Sequence, residues 1–269
     1  MRTTFIERTL GSLVSASEYS AAADRLAVAG GLLQKVDARV KLAGLFGLVI
    51  VVVASHKLRV VGGVFVLSLA LAWWSQLSLR RLASWVWMPV LFFTGAIAFP
   101  ALFLTPGQTA VTILGFPMTD QGIRSTTFLI SRAETAATLS ALLVLTTPWP
   151  WVLKALRTFK CPVVAVAILG MTYRYIFVML RIASEMFESR RSRAVGILPP
   201  SERRRLMAST VGVLVSKSIQ LSTDVHLSMR SRGFRGETYL LHEFRANVAD
   251  RYWFAGFALL VVGGFWWGR

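Results

Sequence analysis

The sequence predicts an all-α polytopic membrane protein with about five transmembrane helices and two long cytoplasmic helices. Hydrophobic residues make up 55% of the 269 positions and nine residues are tryptophan, a composition typical of membrane proteins. The apolar residues gather into five runs. Between the fourth and the fifth lies a region, residues 148–251, with two helix-length segments that are only half apolar. These patterns indicate a membrane bundle joined to a cytoplasmic domain.

The formal net charge of +17 raises the question of a nucleic-acid partner. The cations, however, lie between or beside the apolar runs, and no separate basic domain is present. Loops rich in Lys and Arg on the cytoplasmic side of a membrane explain the charge more simply. We therefore expect a lipid bilayer, and no nucleic acid, around this chain.

Residues 1–37 are predicted to form an N-terminal cytoplasmic or interfacial segment, because scattered charges interrupt any apolar core of a signal sequence. Residues 38–147 are predicted to hold four transmembrane helices, and residues 252–269 the last one. Pro89 and Pro100 in the third run are tolerated in membrane helices. The fourth run contains Arg124, Arg132 and Glu134, which should face protein or water.

Charge distribution predicts the orientation. The loop 105–121 has no Lys or Arg, whereas residues 148–251 carry most of the positive charge. The positive-inside rule then places the N-terminus and residues 148–251 in the cytoplasm and the loop 105–121 outside. Lys57, Arg59 and Arg269 would lie outside as small exceptions. We expect a multi-pass protein of the cell's inner (cytoplasmic) membrane.

The cytoplasmic coupling domain, residues 148–251, is predicted to contain long helices at 162–193 and 201–232. Each would be about 45 Å long, too long for an ordinary connection between spans. Steps of three and four residues define one apolar stripe on each helix, and each stripe extends to an arginine. The first stripe is Ile168, Met171, Tyr175, Val178, Ile182 and Met186, ending at Arg193; the second is Met207, Val211, Leu214, Ser218, Leu221, Val225 and Met229, ending at Arg232.

Hydropathy alone would make residues 163–180 a sixth span. Tyr173, Arg174 and Arg181 interrupt this segment, and Arg174 near the bilayer centre would cost roughly 3 kcal/mol on insertion scales. We therefore predict one amphipathic helix on the cytoplasmic side. Whether its first half lies on the membrane surface or in the membrane stays open.

The two long helices end in related triplets, Ser192-Arg193-Ala194 and Ser231-Arg232-Gly233. A glycine just past a helix end, with a basic last turn, is often only a helix cap. The recurrence on two helices favours docking, because a pair of arginines suits acidic or carbonyl-lined grooves. Possible accessory docking residues are Arg190, Arg191, Arg230 and Arg235.

These triplets resemble the signatures of the transmembrane T component of energy-coupling factor importers, a branch of the ATP-binding-cassette transporters. The segments 37–42, 146–148 and 171–175 are similar to its cobalt-type CbiQ family. The resemblance implies that each signature docks one of two ATPase subunits. It also implies a membrane S component that captures Co²⁺ or Ni²⁺, and an optional small accessory membrane protein. Ala194 stands where glycine is usual, so Arg190, Arg191 and Arg193 all remain candidates for the first docking residue.

No chemistry of its own is predicted for this chain. It lacks the Gly-x-x-x-x-Gly-Lys-[Ser/Thr] phosphate loop, so ATP would be bound by the partner ATPases and no cofactor by this chain. His56, His226 and His242 are isolated in sequence, and the single Cys161 has no local companion, so we predict no metal site. We expect a non-catalytic subunit.

Four other functions can be compared with these features of the sequence. A T component for nickel or a vitamin fits the same residues. A conventional importer permease is suggested by Gly196-Ile197-Leu198-Pro199, but its preceding Glu-Ala-Ala element is absent. An intramembrane enzyme would need Arg132 and Glu134 to act together, yet residues two apart on a helix do not face each other. A secondary transporter would show inverted repeats, which we do not find.

Overall fold

The computed structural model describes residue 11 and residues 31–104, 109–113, 116–193, 199–234 and 248–268. The chain divides into two compact units. The two-helix unit comprises Met1–Ala23 and Leu156–Glu243, and the bundle unit comprises Asp24–Ala155 and Phe244–Arg269. The N-terminal segment predicted over residues 1–37 lies outside the described residues, except for residue 11 and residues 31–37.

Helices dominate both units, which confirms the predicted all-α class. Asp37 begins the first long helix as its N-cap, since its carboxylate accepts a 3.0 Å hydrogen bond from the backbone N–H of Arg39. Helix α5 continues through Pro100, as predicted for a membrane helix. In chain order the elements are α1 Leu32–Lys35, α2 Ala38–Ala54, α3 Leu58–Trp74, α4 Leu79–Leu82, a π-helical turn Ala83–Trp87, α5 Met88–Leu104, β1 Thr109–Ile113, β2 Phe116–Thr119, α6 Asp120–Thr146, α7 Trp149–Thr158, α8 Val163–Arg191, α9 Pro200–Ser231 and α10 Val248–Gly268.

Helices α2 and α10 run parallel although they lie far apart in sequence. The backbone N–H of Asp37 donates to Oδ1 of Asp250 at 3.0 Å, and 213 positions separate these residues. At the other end, the N–H of His56 donates to the carbonyl of Gly268 at 3.2 Å. Between these contacts Gly44 faces the ring of Phe257 so closely that a Cβ on Gly44 would lie 2.4 Å from Cγ. Small residues thus let the two backbones approach.

Helix α6 runs antiparallel to both α2 and α5 and packs against α2, α3 and α5. Lys41 Nζ donates to the carbonyl of Thr146 at 2.9 Å, while Arg132 Nη2 donates to the carbonyl of Ser55 at 2.6 Å. On the α5 side, Thr126 Oγ1 donates to the carbonyl of Ala98 at 3.4 Å. Helix α6 therefore contacts its neighbours at several depths of the bundle. The core around it includes Leu45, Leu48, Val52, Val61, Leu71, Leu139, Leu142 and Phe257.

The outer faces of the bundle unit are strongly apolar. Phe92 is 81% exposed and Trp266 is 87% exposed. Aromatic side chains in such exposed positions suit a hydrocarbon surrounding rather than water. Among the residues that the structure describes, three segments are long and apolar enough to cross a membrane, Ala83–Pro100, Gln121–Thr146 and Val163–Arg190, and Leu58–Trp74 is a shorter apolar helix. The predicted polytopic membrane protein is confirmed.

Helix α8 is continuous from Val163 to Arg191, so one helix covers both the apolar and the charged half of this region. Length and hydropathy alone also qualify Val163–Arg190 as a span. Arg174 and Arg181 are exposed along this helix. Its assignment to the cytoplasmic side stays a prediction.

The cation-free loop 105–121 contains a β-hairpin that the sequence analysis did not predict. Strands β1 and β2 pair antiparallel, with Ile113 opposite Phe116 and Thr109 opposite Thr119. The β-branched residues of β1, which include Thr109, Val111 and Ile113, favour a strand over an irregular loop. The Gly, Pro and Thr residues of the loop are typical of a turn and obscure this short alternation in the sequence.

Candidate functional site

An open apolar groove lies between α8 and α9 in the two-helix unit. It has a volume of about 870 Å³ and runs along α8 from Val164 to Ala183 and along α9 from Leu214 to Met229. The predicted stripes largely form its walls, which include Ile168, Met171 and Tyr175 from α8 and Leu214, Ser218, Leu221, Val225 and Met229 from α9. Val178, Ile182, Met186, Met207 and Val211 belong to the predicted stripes but do not line it.

Helix α9 ends in a glycine cap at the second predicted signature. Gly233 has φ of 75°, a left-handed conformation that favours glycine. Its N–H donates to the carbonyl of Arg230 at 3.0 Å, and the N–H of Phe234 donates to the carbonyl of Met229 at 3.0 Å. This pair of bonds is the Schellman arrangement, and Met229 and Phe234 also share the groove wall. The capping role of Gly233 is thus real, and the cap holds Arg232 at the exposed end of the helix.

Helix α8 makes two hydrogen bonds of the same kind near its end, although its last helical residue is Arg191, one position earlier in its signature than Ser231 of α9. Ser192 Oγ donates to the carbonyl of Ser189 at 2.8 Å, and the N–H of Arg193 donates to the carbonyl of Arg190 at 3.1 Å. On α9, Ser231 Oγ donates to the carbonyl of Ser228 at 2.9 Å, and the N–H of Arg232 donates to the carbonyl of Met229 at 3.2 Å. Both ends therefore make the same two kinds of hydrogen bond at an exposed arginine.

The sequence repeat gives one register between the two signatures, and the hydrogen bonds of Ser192, Ser231, Arg193 and Arg232 are compatible with it. Ser189-Arg190-Arg191-Ser192-Arg193 corresponds to Ser228-Met229-Arg230-Ser231-Arg232, so both read Ser-x-Arg-Ser-Arg. In this register Arg193 is the counterpart of Arg232, Arg191 that of Arg230, and Arg190 that of Met229. Ala194 and Arg235 lie outside the described residues. Arg193 is therefore the residue to compare with Arg232, and the choice of the first docking residue among Arg190, Arg191 and Arg193 stays a prediction.

The two signatures are separated along the two-helix unit. Arg190 lies beside Ser209 on α9, and 23 residues of α9 and its cap separate Ser209 from Arg232. At 1.5 Å per helical residue this is about 35 Å. A single small ligand cannot contact both arginines at that distance. The arrangement suits two separate contacts with large partners.

The guanidinium of Arg190 is engaged in hydrogen bonds within the protein. Its Nη1 donates to the carbonyl of Leu206 at 3.4 Å and to Ser209 Oγ at 3.1 Å. Arg190 is half-buried, whereas Arg193, Arg230 and Arg232 are exposed. Arg190 is one of the predicted accessory docking residues, and its interhelix contact was not predicted. A backbone carbonyl acceptor leaves no signal in a sequence.

The bundle unit contains the polar residues that were considered for an intramembrane active site. Arg132 donates to the carbonyl of Ser55 and its guanidinium lies 4.6 Å from the ring centre of Phe128. Glu134 is buried on another face of α6, and among the described residues neither of its carboxylate oxygens has a hydrogen-bond partner. The two side chains therefore do not work as a pair, as their spacing predicted.

Metal-ligating side chains are scattered through the described part of the chain. No group of three or more His, Cys, Asp or Glu residues there could hold a metal ion. His226 lines the groove among apolar side chains and Ser222, and Cys161 lies just before α8. Among the described residues, the strongest functional feature is thus the pair of helix ends with the groove between the helices.

Comparison with known proteins agrees with this architecture. Residues 31–240 match the CbiQ family, described as cobalt transport protein. An uncharacterized protein of Methanocaldococcus jannaschii is 31% identical over 227 residues, which cover 82% of this chain and 77% of that protein. The cobalt transport protein CbiQ of Rhodobacter capsulatus is 26% identical over 161 residues, 57% of this chain and 64% of that protein. The chain belongs to the CbiQ family of cobalt transport proteins.

Proposed function

We propose that this chain is the transmembrane T component of an energy-coupling factor importer for cobalt. It spans the cell's inner membrane with its N-terminus in the cytoplasm. Two ABC ATPase subunits dock on its two signatures, and a membrane S component captures Co²⁺. A small accessory membrane protein is an optional further member of the proposed assembly.

The repeated helix end carries this proposal. Arg193 and Arg232 follow the same serine-to-carbonyl bond and the same arginine N–H bond, and both are exposed. Two equivalent cations at the ends of two helices, about 35 Å apart along the helix pair, suit two copies of one partner. A conventional permease would present one short coupling loop between spans. The two similar ends of α8 and α9 do not resemble such a loop.

The helices can carry motion because each is long and unbroken. Helix α8 has 29 residues and α9 has 32. When two ATPases close on ATP, each bound arginine moves with its own ATPase, and the helices change their crossing angle as rigid bodies. The apolar groove between them then changes width. A membrane partner bound in that groove would be tilted or released. This movement would couple ATP hydrolysis to transport.

Metal selection in this proposal belongs to the S component. The described residues of this chain hold no cluster of His, Cys, Asp and Glu suited to a metal, and the metal is a substrate of the whole assembly. Nickel or a vitamin would therefore use the same T component chemistry with a different S component. The family match favours cobalt.

Uptake of radioactive cobalt by membrane vesicles tests the proposal. Vesicles containing this chain, the ATPases and the S component, with the ATPases facing the lumen, should accumulate cobalt only when ATP is enclosed in the lumen. Omission of any one subunit should abolish uptake, and parallel vesicles with radioactive nickel measure metal preference. ATP-independent uptake by this chain alone would contradict the proposal and favour a secondary transporter.

A further inference from the structure

Arg190 connects the end of α8 to the first third of α9. Its Nη1 reaches the carbonyl of Leu206 and the hydroxyl of Ser209. The hydroxyl of Ser209 in turn donates to the carbonyl of Leu206 at 3.0 Å, so the three groups form a closed hydrogen-bonded set. We call this set, Arg190 with Leu206 and Ser209, the interhelix joint. A guanidinium suits it because one charged group can satisfy two acceptors.

The joint lies at one limit of the groove. On α8, Arg190 comes after Ala183, the last residue of that helix to line the groove. On α9, Leu206 and Ser209 come before Leu214, the first lining residue of that helix. The helices are thus joined by hydrogen bonds at one end, and the groove of about 870 Å³ lies between them beyond that end. Such a pair can change its opening angle about the held end.

The joint is also directly connected to the first signature. The carbonyl of Arg190 accepts a 3.1 Å hydrogen bond from the N–H of Arg193. Arg190 of the joint and the exposed Arg193 therefore belong to the same helical turn. At the second signature, Met229 occupies the position equivalent to Arg190. Met229 lines the groove. Among the described residues, the first helix end combines an exposed arginine with a side-chain hydrogen bond to the other helix.

We infer that Arg190 is a positioning residue that fixes the pivot of α8 and α9, so that movement of Arg193 turns both helices about one point. This inference rests on the proposed function, and it takes Arg190 out of the set of docking residues. Loss of the joint should leave ATPase docking intact. It should let α8 move without α9, so that ATP is hydrolysed with little transport.

The test compares Arg190→Gln with Arg193→Ala in the full complex, with Arg205→Gln as the matched control because Arg205 is an exposed arginine of α9. Arg190→Gln should retain both ATPases and lower cobalt transported per ATP by about tenfold, the effect of losing a charge-assisted hydrogen bond. Ser209→Ala should shift the ratio in the same direction by a smaller factor, because the Leu206 carbonyl remains. Loss of an ATPase from Arg190→Gln, or an unchanged transport ratio, would overturn the inference.

Crosslinking supplies a rescue experiment in a Cys161→Ser background, since Cys161 is the sole cysteine of the chain. Arg190→Cys with Ser209→Cys should couple poorly, and a thiol crosslinker with the span of an arginine side chain should restore transport per ATP. A crosslink across the groove, between Met171→Cys and Val225→Cys, should abolish transport. If the crosslink at the joint also blocks transport, the joint is not a pivot.

Spin labels on the isolated chain separate this inference from the proposed function. Labels at Val164 and Leu227, which are 62% and 56% exposed, report the width of the groove without any ATPase. Arg190→Gln should broaden their distance distribution, whereas Arg205→Gln should not. An unchanged distribution would overturn the joint itself. Retention of both ATPases by Arg193→Ala with Arg232→Ala would instead overturn the proposed docking.

Discussion

Lys41 Nζ donates a 2.9 Å hydrogen bond to the carbonyl oxygen of Thr146, which joins the first turn of α2 to the last residue of α6. Lys41 is only 2% exposed, so its aliphatic stem is packed as well as its charge. The carbonyls at a helix C-terminus have no partner within the helix and carry partial negative charge. A buried ammonium at this place satisfies one of them.

Lys41→Ala should therefore destabilise the bundle. The change removes a packed stem and leaves the Thr146 carbonyl without its charged donor, at a cost of about 2 kcal/mol in the free energy of unfolding. Thermal unfolding of the purified protein in detergent measures the effect. Lys35→Ala, at an exposed lysine of α1, is the control and should unfold at the wild-type temperature.

Gly44→Ala should disrupt the contact between α2 and α10. A Cβ at Gly44 would lie 2.4 Å from Phe257 Cγ, so the ring or a backbone must move, and overpacking of this kind costs about 1 to 3 kcal/mol. The melting temperature and the membrane-inserted yield should both fall. Gly62→Ala on α3 meets no atom within 4 Å and should have little effect. Equal losses from both variants would mean that the helix contact is not the cause.

Glu134→Gln should keep or raise the stability of the bundle. Glu134 is 8% exposed, and neither carboxylate oxygen has a hydrogen-bond partner among the described residues. An ionised carboxylate without a partner is costly to bury, while the amide has the same shape and no charge. The melting temperature of Glu134→Gln should be at or above that of the wild type, compared with Glu188→Gln at an exposed position. A clear decrease specific to Glu134→Gln would show that the carboxylate is paired.

Gly233→Ala should weaken the end of α9 through the backbone alone. No atom lies within 4 Å of an added Cβ, but φ of 75° costs a non-glycine residue about 1 kcal/mol. ATPase affinity should drop by a small factor, less than for Arg232→Ala, and Gly233→Asn should lie between wild type and alanine. Binding of the purified ATPase to immobilised protein measures the series. An alanine effect as large as that of Arg232→Ala would make Gly233 itself a contact residue.

The elements most accessible from sequence were those with a strong local period. The stripes that contain Ile168 and Leu221 indicated α8 and α9, which occupy Val163–Arg191 and Pro200–Ser231 against the expected 162–193 and 201–232. The hairpin at Thr109–Thr119 was missed because its strands are too short to show a clear alternation. The spacing of apolar residues in the sequence therefore identified long helices more readily than short strands.

Contacts that join distant segments were beyond sequence reasoning. Asp37 and Asp250 are 213 positions apart, and only the small residues of α2 and α10, such as Gly44 and Gly264, hinted that two backbones approach closely. The bonds of Lys41 and Arg190 end on backbone carbonyls, which every residue has. The register of Arg193 could have been read from the repeat Ser-x-Arg-Ser-Arg, but its geometric meaning needed the hydrogen bonds of Ser192 and Ser231.

The number of ATPase subunits bound per chain tests the central claim most directly. Native mass spectrometry of the purified complex should count two ATPases with the wild-type chain and with Arg205→Gln. Arg193→Ala and Arg232→Ala should each lower the count to one, and the double variant should bind none while keeping its melting temperature. Two ATPases retained by the folded double variant would contradict the account.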